Sequence, residues 1–67
     1  MDERPTRQQT MREFSRRTAA LMIRLENTRA HSRPAYRWLA LVHQRTAVGV
    51  YPGEADWMEL KRLEVVL

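Results

Sequence analysis

Thr18-Ala19-Ala20-Leu21-Met22-Ile23-Arg24-Leu25 is the stretch that decides the fold. At about 100° per residue, Leu21 and Leu25 share one face of a helix, whereas Ala19, Ala20 and Ile23 point largely the other way and Met22 lies between. A surface helix of a globular domain carries one apolar stripe. Here a second one is left over. The surplus predicts a helix approached from two sides, in a chain short of material to cover both.

The same helix extends in both directions. Upstream, Thr6-Arg7-Gln8-Gln9 and Thr10-Met11-Arg12-Glu13 both fit the capping box, in which a hydroxyl and a Gln or Glu three residues later satisfy free amide donors. A start near Thr6 follows, fraying as far as Thr10. Met11, Phe14, Thr18, Leu21, Leu25 and Thr28 then recur at steps of three and four, the a/d seam of a heptad pattern. Glu13 and Arg17 have i,i+4 pairing distance. His31 and Arg33 fall where positive charge suits a helix C-terminus, so the helix is expected over about 6–31.

Pro34 sets the first joint. Proline disfavours helical backbone in the residue before it and suits the first turn of a new helix, with Ser32 or Arg33 as N-cap. The second helix, about 34–47, is apolar nearly all round: Tyr36, Trp38, Leu39, Leu41 and Val42 leave Arg37, Gln44 and Arg45 as its polar stripe. So short a joint makes an antiparallel helical hairpin. Tyr36 and Trp38 project about 200° apart, which predicts that both cannot face one core: either one of them, Tyr36 by preference, lies at an interface, or the two face two sides of a dimer core. Pro52-Gly53 has turn chemistry, and Glu54 and Asp56 then favour the positive end of a third helix over about 54–65. Trp57, Leu60, Leu63 and Leu67 give that helix an apolar face. The expected fold is all-α, one small domain over residues 1–67.

A chain of 67 residues buries about 60% of its unfolded surface, and without cysteine it has neither disulfides nor thiolate metal sites. Self-association is the remaining support. A homodimer is therefore expected, with Met11, Phe14, Leu21, Leu25, Trp38, Leu39 and Val42 as the dimer or core seam. The charged opening Met1-Asp2-Glu3-Arg4-Pro5 lacks secretory character, and no apolar run approaches the roughly 18 residues of a membrane span. No membrane association and a cytoplasmic location are expected.

No chemistry is legible. His31 and His43 have no carboxylate at helical ligand spacing, and neither a nucleophile motif nor a phosphate loop is present. A non-enzyme without metal or cofactor is expected. The formal charge is +4, with ten arginines against four acids in residues 1–52 and four acids against Lys61 and Arg62 in residues 53–67. Arg12, Arg16, Arg17 and Arg24 suit phosphate contacts, which keeps a basic DNA-binding transcriptional regulator open as the alternative function. A helix-turn-helix over Val42 to Leu63 would place Glu54, Asp56 and Glu59 against phosphate, so nucleic acid is the less favoured partner.

The favoured reading is a protein-binding inhibitor or adaptor. Arg12 and Arg16 run into Ala19, Ala20, Ile23, Asn27 and Ala30 on one side of the first helix, opposite the seam. Arg12, Arg16, Ile23, Tyr36 and Arg37 are the candidate partner-binding residues, because arginine and aromatic side chains anchor interfaces. Two occupants of that face are open: the third helix folding back, or a partner. Size, arginine use and the hairpin of Thr6 to Ala47 resemble the small helical inhibitors expressed by temperate phages, in particular the quorum-sensing anti-activator type. The resemblance implies a dimeric hairpin that binds a larger protein, such as a host transcription regulator, in the bacterial cytoplasm. It covers about two thirds of the chain and transfers no individual residue.

Overall fold

The computed structural model describes residues 5–30 and 32–67 and contains three helices, α1 (Arg7–Asn27), α2 (Pro34–Ala47) and α3 (Glu54–Val66). The all-α hairpin with a short C-terminal helix is thereby shown. Thr6 caps α1 as its spacing predicts: its hydroxyl accepts from the Gln9 amide at 3.1 Å and its own amide donates to Gln9 Oε1 at 2.8 Å.

α1 ends earlier than the expected 31. Thr28 is its C-cap, and Arg29 takes a left-handed φ of 58°. The Ala30 amide then reaches back to the Leu25 carbonyl at 2.7 Å, and the Arg29 amide to Glu26 at 3.0 Å. These two bonds make a Schellman stop, which proline spacing alone does not reveal because the left-handed position is filled by arginine instead of glycine. α2 stops by the same device, with Gly49 at φ 95° and the Val50 amide on the Arg45 carbonyl at 2.9 Å. Arg33 is the N-cap of α2. His31 lies outside the described residues, and the helix-end role expected of it is not shown.

The core is closed within one chain. Phe14, Leu21 and Leu25 of α1 meet Leu39 and Val42 of α2 and Leu60 and Leu63 of α3, all buried. Met11 and Trp38 are half-buried at the margins. Of the two roles open to the dimer or core seam, Phe14, Leu21, Leu25, Leu39 and Val42 take the core one, covered by α2 and α3 of the same chain.

Hydrogen bonds fix how α2 lies on α1. His43 Nδ1 sits 3.0 Å from the Thr18 hydroxyl and 3.4 Å from that of Ser15, and the Tyr36 hydroxyl donates to Glu26 Oε2 at 2.9 Å. Thr18 also donates to the Ser15 carbonyl at 2.9 Å. A hydroxyl has one proton, so with that bond made it accepts from Nδ1–H of His43. α3 is held to the other flank of α1. Trp57 packs edge-on against Phe14 with ring centroids 5.0 Å apart, and the Arg17 guanidinium lies over the same indole at 5.4 Å while its Nε donates to Glu64 Oε2 at 2.9 Å. Arg17 therefore does not pair with Glu13, which takes Arg16 instead, Nε to Oε2 at 3.2 Å.

Tyr36 and Trp38 both pack against the core, contrary to expectation. Their angular separation holds, but Leu39 points between them. Tyr36 flanks it on the α1 side through Glu26, and Trp38 on the α3 side, in a groove shared with Glu59, Arg62 and Leu63.

Candidate protein-binding face

The two flanks of α1 determine what is left. Taking Thr18 as the inward reference, Ser15, Met22 and Glu26 turn toward α2, and Arg17 and Arg24 turn toward α3. Arg12, Arg16, Ala20, Ile23 and Asn27 lie opposite, and all five are exposed. Ile23 is 56% exposed. α3 thus leaves the second apolar face exposed, because Trp57 and Glu64 commit it to Phe14, nearly half a turn away, and to Arg17, about a third, with Glu64 bordering the face at Arg16 and Ala20.

The face runs along a helix of 21 residues, some 30 Å at 1.5 Å per residue. Ala20 is small at its middle, with Ile23 one turn on. Arg12 has no ion-paired partner among the described residues, and Arg16 shares Glu13 in an exposed i,i+3 pair. Ala19 is half-covered at the α2 edge. Ala30 leaves the face altogether: it follows the helix stop and packs on the core.

The remaining predicted site residues separate. Tyr36 is half-buried, and its bond to Glu26, three residues after Ile23, sets the ring at the edge of the face rather than upon it. The neighbouring carboxylate raises the Tyr36 phenol above its ordinary range, since an ionised hydroxyl loses that hydrogen bond and meets like charge. Arg37, one residue on, turns about 100° away and is exposed on the outside of α2. Arg12, Arg16 and Ile23 therefore share a surface, Tyr36 borders it, and Arg37 belongs elsewhere. Leu41, 47% exposed, was hidden within a helix that reads as apolar all round, although its position about 200° from buried Leu39 marks it as outward.

The arginines divide similarly. Arg17 is engaged by Glu64, which raises the guanidinium's proton affinity and holds the Glu64 carboxyl below the usual carboxylate range. Neither is available to a phosphate without breaking that pair. Among the described residues no carboxylate bonds the His43 ring and no group of three His, Cys, Asp or Glu has metal-binding placement. No helix is long and apolar enough to cross a membrane.

Comparison with family models, with curated proteins and with solved structures finds no match, so nothing outside the chain assigns it a family.

Proposed function

We propose that this chain is a non-enzymatic protein-binding module, an inhibitor or adaptor, that engages a larger protein through the outer face of α1. The observation that carries this reading is Ile23, exposed beside Ala20 and between arginines, on a face that neither α2 nor α3 covers. A large aliphatic side chain gains from being covered, at about 25 cal/mol per Å² of apolar surface, and flanking guanidiniums give a partner bidentate anchors. The resemblance to phage anti-activators proposes a bacterial transcription regulator as the target.

The test compares capture by the wild-type chain with capture by Ile23→Asp and Arg16→Glu, using Val65→Asp as an exposed control on α3. The reading expects a specific partner that is lost with either α1 variant and kept by the control, all four chains having the same helical circular dichroism. Retention of the partner by both folded α1 variants refutes the face assignment.

A further inference from the structure

From Asn27 to Gly53 the chain contains no Asp or Glu and four arginines. Arg29 and Arg33 flank the α1–α2 turn, Arg37 follows one turn into α2, and Arg24, in the last turn of α1, lines a groove with Arg33. All four are exposed, and none of their guanidiniums has a hydrogen-bonded or ion-paired partner among the described residues.

Local backbone chemistry favours other residues at three of these positions. Arg29 holds a left-handed conformation that glycine adopts without strain. Arg33 is an N-cap with no side-chain cap bond, where Ser, Thr, Asp or Asn would accept one. Arg33 and Arg37 crowd a helix N-terminus whose partial positive charge favours acids, and the first turn of α2 has none. Departures from local preference that coincide in space are a mark of function. Here each one adds or keeps a positive charge.

The helices also keep the acids of the start of α3 from this pole, while the two acids near Arg24 are engaged, Glu26 by Tyr36 and Glu64 by Arg17. Antiparallel packing puts the end of α1 beside the start of α2, and Arg24, Arg33, Val66 and Leu67 line one groove there, so the end of α3 is at this pole too. Glu54 and Asp56, at the start of α3, therefore lie some 15–20 Å away along a helix of 13 residues. The repulsion that argues against α3 as a groove reader does not reach this pole.

The geometry points to a binding site for the sugar–phosphate backbone of duplex nucleic acid at this pole, formed by Arg24, Arg29, Arg33 and Arg37. Exposed Ser32 adds a hydroxyl of the type that contacts phosphate and sugar. An acidic protein fits less well, because between residues 24 and 40 no large hydrophobic side chain is exposed, and the exposed one in the groove, Val66, is of a type that seldom anchors an interface. A turn rather than a helix faces the ligand, so no element enters the major groove and the binding is independent of base sequence. The site stands apart from the α1 face and does not depend on it.

The test is fluorescence anisotropy of the full chain with a labelled duplex of about 20 base pairs over roughly 20–200 mM salt, where four phosphate contacts predict a slope of log K against log salt near −3.6. Arg33→Glu/Arg37→Glu is expected to lose about thirtyfold or more at low salt, while Arg12→Glu/Arg45→Glu, with the same net charge, loses less than about fivefold. Arg33→Gln/Arg37→Gln, which only removes charge, supplies the milder loss if the reversal disturbs folding. A duplex of unrelated sequence binds equally. Equal losses in the two charge-reversed chains reduce the effect to net charge and overturn the site. Absence of binding at about 20 mM salt overturns it as well, and capture of a polyglutamate peptide in place of duplex transfers the pole to acidic proteins.

Discussion

Replacing Thr18 with Val tests the polar contact at the centre of the α1–α2 interface. Thr18 is fully buried, and valine nearly matches its volume, so the substitution opens no cavity and removes only a hydroxyl. That hydroxyl donates to the Ser15 carbonyl and accepts from His43, and valine leaves the imidazole N–H without its 3.0 Å partner. An abandoned buried donor costs about 1–3 kcal/mol. His43 is only half-buried and Ser15 Oγ lies 3.4 Å from the same nitrogen, so the expected loss is in the lower part of that range, about 1–2 kcal/mol. For 67 residues at about 2.1 cal/mol/K each, the unfolding entropy is about 0.14 kcal/mol/K, and the melting temperature falls by about 7–14 °C. Thermal circular dichroism reads this directly. The double variant Thr18→Val/His43→Leu removes both partners and recovers at least half of the loss, because the unsatisfied group goes with them. Nitrogen-15 NMR of the wild-type chain places the neutral His43 proton on Nδ1. Thr18→Val melting at or above the wild-type temperature, or a coupling between the two sites under about 0.5 kcal/mol, refutes the assigned bond.

Arg29→Gly is expected to stabilise the chain by about 0.5–1 kcal/mol, since glycine removes the cost of the left-handed C′ residue and loses part of that gain through its freer unfolded state; urea midpoints measure it. Glu64→Gln loses about 1 kcal/mol at pH 7, the two paired side chains being less than a third exposed. Arg17 lowers the Glu64 pKa on folding, so this stability is present above the unfolded carboxyl range near pH 4.3 and disappears as pH falls through the folded value; wild-type and Glu64→Gln melting temperatures converge by about pH 2–3. Phe14→Ala empties the contact shared by all three helices and costs about 3–5 kcal/mol, enough to leave much of so small a domain unfolded at 37 °C by circular dichroism.

The helices were legible because their signals are local. Thr6 and Gln9 cap within four residues, Pro34 opens α2, Pro52-Gly53 precedes α3, and the three-four spacing of Phe14, Thr18, Leu21 and Leu25 names the buried face of α1. The end of α1 was not legible, since its stop depends on Arg29 adopting a conformation that its side chain disfavours. Pairing across the chain was hidden for a different reason. Arg17 has Glu13 four residues away and Glu64 forty-seven away, and only the packing of Trp57 on Phe14 decides for the distant one. Tyr36 and Trp38 misled because a residue pointing between two others can draw both to one core. Of the candidate site, Arg12, Arg16 and Ile23 were readable as a shared helix face. That α3 leaves them open required knowing which flank of α1 it takes.

Site-specific photo-crosslinking at position 23 in living cells tests the uncovered face most directly. With Ile23 replaced by benzoylphenylalanine, a discrete adduct to a larger protein is expected, suppressed by Arg16→Glu in the same chain. Absence of any adduct, or an adduct only of the size of two copies of this chain, contradicts it.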